Sequence, residues 1–339
     1  MIPATVNAVA PIRVCDIGGW TDTWFAGHGA VFHIAVYPYV EVQIHTYATD
    51  APDNRVEIIA ESYSERFTVN PDRIAYDHHP LLEAAIDVMD LPERAGFQIN
   101  IYSEVPPGAS TGTSAAVAVA LLGALDRLSN GHLSQHEIAS LAHSLETEKL
   151  GLQSGIQDQL CSAYGGINYV NMHRFPESTV ANLRLPDEIW WELEQRLVVV
   201  YIGTPHSSSQ VHEQVISDLG SDASADPRLE EMRQLAGLAK DAILVGDFVR
   251  FGETMTRNTA QQRLLHPALV SAKAEEISAI GRDFGVLGVK VNGAGGDGGS
   301  VTLLCDGDRA RKRQLVAALR SAGFLYLPIV LSRRGLRVW

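Results

Sequence analysis

The 339 residues carry 27 lysines and arginines against 40 aspartates and glutamates, a formal net charge of −13, and 46% are hydrophobic. Such a chain can bury a core, and at roughly 150 residues per domain its length suits two domains or one large one. The acidic surface and the lack of a basic run exclude nucleic acid as a partner, and no apolar stretch approaches the ~20 residues that cross a bilayer.

The three cysteines, Cys15, Cys161 and Cys305, form no CxxC pair. That argues against a structural zinc site or a disulfide framework, and for a reducing, cytoplasmic setting. The first ten residues lack the basic n-region of a signal peptide. Oligomeric state is not legible in the sequence.

Residues 39–48 set Val40, Val42 and Ile44 on one face and Glu41, Gln43 and His45 on the other, the period of a half-buried strand. Short strands follow at 55–60 and 65–69, then a helix at 80–89 opened by a proline. Residues 97–105 alternate again, and a glycine-bearing turn at 106–112 leads into an Ala/Val/Leu-rich helix reaching about 128. Asn130-Gly131 is a stop signal, and Ser134-Gln135-His136-Glu137 is a capping box for the next helix. A strand at 165–172 precedes a proline-bearing polar stretch at 176–187, where a domain boundary is expected. The domains so defined are 1–185 and 186–339.

The second part opens with a buried strand at 197–202. Helices are expected at 208–219, 227–245, 247–264 and 267–283, strands at 286–291 and 301–305, a helix at 308–322 and a strand at 325–331. Strands and helices mix without strict βαβ alternation, so the fold class is α+β with largely antiparallel sheets.

Four segments hold candidate chemistry. Pro106 to Ala116 (PPGASTGTSAA) joins a strand to an apolar helix. Unpaired N–H groups and the positive end of a helix dipole suit a phosphate, and Thr113 and Ser114 add hydroxyls. No lysine follows the second glycine, so it is not a Walker A loop. The same residues also read as an ordinary strand-to-helix turn with a Ser/Thr cap.

Gly293 to Gly299 (GAGGDGG) matches G-x-G-x-x-G, but strand-like residues follow it and no room remains for a dinucleotide fold. So heavy a glycine content points to close approach of a ligand or another backbone. Ala10 to Asp22 (APIRVCDIGGWTD) combines charge, paired glycines and a Thr-Asp, and by itself reads as an irregular strand and turn. In Glu146 to Gln159 (ETEKLGLQSGIQDQ) a helix ends near Gly151, and Gly155 precedes a segment presenting Asp158. The break lets carboxylates from different elements converge, as a metal plus a catalytic base would need. Surface acids at a helix end are the alternative.

Together and in this order, the four segments resemble the GHMP kinase superfamily from Ala10 to about Ser300. Thr21-Asp22 and GIQDQ are similar to the sugar-kinase branch. Gly18-Gly19, Gln157-Asp158-Gln159 and Ala163-Tyr164-Gly165-Gly166 look most like its heptose-7-phosphate and fucose kinase group.

The resemblance implies an N-terminal domain like ribosomal protein S5 domain 2 and a ferredoxin-like C-terminal domain, with ATP and substrate between them. It implies that Pro107, Gly108, Ala109, Ser110, Thr111, Gly112, Thr113, Ser114 and Ala115 hold the ATP phosphates. Ser114 and Glu146 would hold Mg²⁺, Asp158 would be the base facing the attacking hydroxyl, and Arg13 would sit beside it and the transferred phosphoryl. Gly18, Gly19, Trp20, Thr21, Asp22, Gly155, Gln157 and Gly295 would be at the substrate, and Gly293–Gly299 would brace the phosphate loop. The implied activity is transfer of the γ-phosphoryl of ATP to a sugar or sugar phosphate, with heptose 7-phosphate at C1 foremost and fucose or inositol as alternatives. A non-catalytic sugar and ATP sensor is the rival class.

Galactokinases carry Glu-His where this chain has Gly19-Trp20, which turns the expectation away from galactose and leaves Trp20 to stack on a sugar ring. The other tryptophans read as packing. Asp297 adds a negative charge to the last glycine motif. Ser208 or Ser209 reads as an N-cap beside His206, Ser207 and His212, with a substrate role at that edge open. His78-His79 reads as a loop pair, since no further ligand lies at metal spacing.

Overall fold

A computed structural model describes residues 4–49, 55–92, 95–129, 131–203, 208–220, 222–296 and 298–339. Asp297, His206 and Ser207 lie outside the described residues, as do the side chains of Ser208, Ser209 and His212.

The chain opens with strands covered on both faces. β1 (Thr5–Ile17) is buried almost without interruption, and β2 (Gly29–Ala48) is buried through its first eight residues before alternation sets in. They pair antiparallel over most of their length. β3 (Val56–Ala60) and β4 (Glu65–Val69) form a hairpin, and α1 (Pro80–Asp87) follows with its proline in the first turn. β5 (Ala95–Ser103) pairs antiparallel with β2 and parallel with β3.

α2 (Thr113–Leu128) is an apolar helix buried against β1 and β2. α3 (Gln135–Ser144) starts with the expected capping box: Ser134 N donates to Glu137 Oε2 at 2.7 Å and Glu137 N to Ser134 Oγ at 3.3 Å. One π-helical turn, Leu145–Lys149, then widens the helix. α4 (Gln157–Tyr164), β6 (Ile167–Arg174) and β7 (Glu177–Asn182) complete the first part. The polar stretch where a domain boundary is expected holds β7, the second arm of a hairpin with β6, and leads into α5 (Asp187–Arg196).

β8 (Leu197–Tyr201) begins a second sheet, and α6 (Ser208–Leu219), α7 (Pro227–Leu244) and α8 (Phe248–Leu265) follow. The single helix expected at 267–283 is broken. A 3-10 turn covers Pro267–Leu269, and α9 (Ala272–Asp283) restarts at Ser271, whose hydroxyl caps Ala274 N. β9 (Gly288–Val291), β10 (Ser300–Leu304) and α10 (Arg309–Ser321) come next. The strand expected at 325–331 splits at Pro328 into β11 (Leu325–Leu327) and β12 (Val330–Leu331), and β13 (Arg337–Val338) ends the fold.

The second sheet runs β11-β8-β10-β9, antiparallel throughout. In the first, the order is β13-β1-β2-β5-β3-β4, with β12 and β6 also on β2 and β7 on β6. The last strands thus cross back from the second sheet, and Asn7 and Trp339 exchange backbone hydrogen bonds at 2.9 and 3.0 Å. Among the described residues, no helix is long and apolar enough to cross a membrane.

The main core does not stop at residue 185. It takes in Leu193 of α5, Leu235 of α7 and Phe251 of α8. Phe251 meets Phe32 of β2 edge to face, with ring centroids 5.4 Å apart and both side chains fully buried. Trp190 is packed as expected and Trp20 is buried too, whereas Trp24, Trp191 and Trp339 are exposed. Phe251→Ala is expected to cost about 3–5 kcal/mol, since it leaves a cavity under β2. Urea unfolding checks this. The two parts should still unfold together, because the lost contact belongs to both.

Candidate active site

A cavity of about 370 Å³ lies between β1, the β5–α2 loop, the α3–α4 break and the β9–β10 loop. The β5–α2 loop reaches it through a left-handed backbone at Gly108, Ser110 and Gly112, with φ of +73°, +54° and +71°. Gly112 immediately precedes α2, and no side chain caps that helix. The Ser/Thr cap reading therefore fails. The first-turn N–H groups of a 16-residue helix are left to face the cavity wall formed by Thr113, Ser114 and Ala115. Pro107, Ala109 and Thr111 line the same wall. Tyr201 of the second sheet donates its hydroxyl to Pro107 O at 3.2 Å, and Ser300 donates to Ala109 O at 2.7 Å.

Arg13 and Asp158, 145 residues apart, meet here as a two-point pair: Nε to Oδ1 at 2.7 Å and Nη2 to Oδ2 at 3.0 Å. The remaining guanidinium nitrogen, Nη1, donates to the carbonyl of Ser110. Arg13 is 4% exposed. Burial opposes its charge, but Asp158 and then Asp16 more than offset that and raise its pKa. Asp158 sits in the first turn of α4, on the cavity wall. The pair also explains Gly112: a Cβ there would lie 3.2 Å from Asp158 Oδ2 and 3.3 Å from Arg13 Cγ.

Three more carboxylates line the cavity, Asp16, Asp22 and Glu146. Asp22 accepts a hydrogen bond from Gln157 N at 3.0 Å, and burial raises its pKa to about 6. Gly155 abuts it, since a Cβ there would be 2.1 Å from Asp22 Oδ2. Glu146 lies in the π-helical turn and is buried, while Glu148 in the same turn is exposed. Burial raises the Glu146 pKa to about 7. Its Oε1 is buried without a hydrogen-bond partner. Ser114, exposed on the facing wall, lines the same cavity.

Arg13, Trp20, Asp22, Pro107 to Ala115, Glu146, Gly155, Gln157 and Asp158 are therefore brought together. Gly18, Gly19, Thr21 and Gly295 are not on the cavity wall. Thr21 is fully buried and ties the turn, donating to Gly18 O at 2.7 Å and accepting from Ala30 N at 3.1 Å. Gly18 packs on β2 and donates its N–H to Asn258 Oδ1 at 2.7 Å. Gly19 packs against the Asp16 carboxylate, and Gly295 against the carbonyl of Leu269. Trp20 reaches the wall but is 5% exposed and packs among Phe25, Met232 and Leu265, so its ring is not open for stacking.

Sequence reading missed a further part of the cavity wall, where Tyr63, His79, Leu81, Ile101, Tyr102 and Val117 gather from four elements. No local pattern marks them, since each is also an ordinary strand, cap or helix residue. It also missed Asp16 and Lys290, which form a buried ion pair at 3.2 Å. Among the described residues, no group of three or more His, Cys, Asp or Glu side chains could hold a metal ion, and His78 instead stacks on Phe67 at 4.9 Å.

The family model described as GHMP kinases N terminal domain matches residues 80–166. A D-glycero-alpha-D-manno-heptose 7-phosphate kinase of Campylobacter jejuni is 26% identical over 99% of each chain. A mevalonate kinase of Pyrococcus horikoshii is 34% identical over 76% of this chain and 72% of its own. Among solved structures, a D-glycero-D-manno-heptose 1-phosphate kinase from Bacteriodes thetaiotaomicron superposes with a TM-score of 0.77 at 22% identity, covering 98% of both chains.

The raised Asp22 pKa makes a stability prediction. Between about pH 4 and 6 the folded carboxyl holds a proton that the unfolded chain has released, so stability falls as pH rises through that window. Asp22→Asn, which keeps an acceptor for Gln157 N, is expected to reduce this slope, leaving the part due to Glu146, and to gain up to about 3 kcal/mol above pH 6. Urea midpoints of both proteins across pH 4–8 check it.

Proposed function

This chain belongs to the GHMP kinase family, and from that premise we propose that it moves the γ-phosphoryl of ATP onto a hydroxyl of a sugar or sugar phosphate. It is a phosphotransferase with an alcohol acceptor. Heptose 7-phosphate phosphorylated at C1 is the leading acceptor, supported by full-length similarity to the Campylobacter jejuni enzyme. The 34% identity to a mevalonate kinase supports a second class, a non-sugar alcohol.

The observation that carries the reading is the Arg13–Asp158 pair held against the uncapped start of α2. Phosphoryl transfer has a loose transition state, so a protein acts mainly by positioning groups and stabilising charge. In this reading the β5–α2 loop and the first-turn amides of α2 hold the phosphates. Asp158 orients the attacking hydroxyl and takes its proton, and Arg13 fixes that carboxylate and offsets charge on the moving phosphoryl. Asp22 and the backbone at Gly155 hold acceptor hydroxyls. The apolar part of the wall, with Leu81, Ile101 and Val117, suits the adenine base.

The residues also fit Mg²⁺, which prefers hard oxygen ligands. Glu146 Oε1 is a buried oxygen with no partner, and Ser114 supplies a hydroxyl to the same cavity. Those two would hold the ion, which when bound neutralises phosphate charge. The domains proposed are 1–185, with the phosphate loop and base, and 186–339, whose Gly293 and Ala294 close the wall.

The test is ADP release from Mg-ATP with heptose 7-phosphate, fucose, galactose, mannose, inositols, mevalonate and homoserine. One acceptor should stand out. With it, Asp158→Asn should lose about 10²–10⁴-fold in turnover and keep ATP binding. Unchanged turnover in that variant removes Asp158 from the mechanism. An absence of ATP binding in the unmutated protein overturns the reading of the phosphate loop.

A further inference from the structure

Two charged side chains beside Arg13 have no task in the transfer as described. Asp16 of β1 is 1% exposed, and Lys290 of β9 is fully buried. Lys290 Nζ lies 3.2 Å from Asp16 Oδ1, and it also donates to Gln262 Oε1 at 3.2 Å and to the carbonyl of Val291. The N–H of Gly293 donates to both Asp16 oxygens, at 3.1 and 3.0 Å. Gln262 returns a bond to the Gly293 carbonyl at 3.1 Å. A buried ion pair is weak as a source of stability, because an apolar pair of the same volume serves as well. Its retention between two sheets points to a task that needs charge.

The signs alternate along one line: Lys290, Asp16, Arg13, Asp158. Arg13 feels both carboxylates, with Asp158 the stronger and Asp16 next. Asp16 does not compete for the guanidinium, because Lys290 and Gly293 take up its oxygens. Burial would raise the Asp16 pKa, yet Lys290 and then Arg13 hold it below the usual carboxylate value. Gly293 is in turn held tight against the site: a Cβ there would be 3.0 Å from the Ser110 carbonyl and 3.1 Å from Arg13 Nη2.

We propose that Lys290 and Asp16 are positioning residues for the transfer. Lys290 engages Asp16 and so leaves Arg13 to Asp158, while Asp16 draws the Gly293 amide of the C-terminal glycine motif against Arg13 and the phosphate loop. The second sheet thereby sets the geometry of a pair that belongs to β1 and α4.

This inference rests on the kinase reading of Arg13 and Asp158, and its test separates the two. In Lys290→Met, Asp16 loses the ammonium beside it, and Arg13 is the cation left to hold its charge. A crystal structure of that variant should show Arg13 turned from Asp158 toward Asp16. Turnover per folded molecule should fall about 100-fold, while the ATP dissociation constant, measured by calorimetry, changes by less than about threefold. In Lys290→Met/Asp16→Asn the competing carboxylate is gone. Arg13 should return to Asp158, and turnover should recover to within about tenfold of the unmutated protein.

A purely structural pair would show no such recovery per folded molecule. An intact Arg13–Asp158 pair in Lys290→Met overturns the inference, whatever the acceptor is. An opened pair with unchanged turnover upholds the positioning of Arg13 and overturns the role proposed for it in transfer. If the single variant does not fold, the double variant decides. Folded and slower than the unmutated protein by more than about 100-fold, it overturns the inference.

Discussion

A buried guanidinium cannot shed its charge, and all its N–H donors demand partners. Arg13 is that constraint here. Its side chain is 4% exposed and lies on a strand covered on both faces, so its partners must be brought to it. Asp158 comes from the first turn of α4 and the Ser110 carbonyl from the β5–α2 loop. Satisfying the arginine thus forces convergence of segments about a hundred residues apart. It also fixes the left-handed backbone of the loop, since the positive φ at Ser110 and Gly112 is how the chain turns its carbonyl to Arg13 and still enters α2.

That convergence has an electrostatic consequence. Asp22, Glu146 and Asp158 face one cavity, and Asp158 raises the pKa of the other two beyond what burial alone does. Both groups therefore keep a proton to higher pH than a free carboxyl does. A site arranged this way gives up stability for readiness toward cationic or hydroxyl-bearing ligands. The Gln157 N–H on Asp22 moderates the penalty, as the Ser154 and Gln159 side chains do at Glu146.

The loops were legible in the sequence because glycine and small residues have few reasons to cluster, and because their order along the chain resembles one family. The half-buried strands were legible too, since alternation is visible from about residue 39. β1 and the first half of β2 were not, because a strand buried on both faces loses its alternation. The break of α9 at Ser271 and the split at Pro328 left signals that a longer periodic reading overrode. β7 and α5 were hidden by prolines that lie just before their first residues. Lys290 lay in plain view beside the last glycine motif, but only the fold puts an acid against it.

The limits at the acceptor end have a physical cause as well. Of the turn from Gly18 to Asp22, most side chains and backbone groups are used up in holding the turn itself: Thr21 bonds Gly18 and Ala30, Gly18 bonds Asn258, and Gly19 makes room for Asp16. Asp22 and the edge of Trp20 are what remains for a ligand. A motif spent mainly on its own geometry identifies the fold that needs the turn far better than the molecule bound beside it. The other groups on the cavity wall come from elsewhere in the chain. Gln153, placed by its bond from the Trp24 indole N–H, and Ser154 are on that wall, in the break between the π-helical turn and α4. That break is less buried than the turn from Gly18 to Asp22.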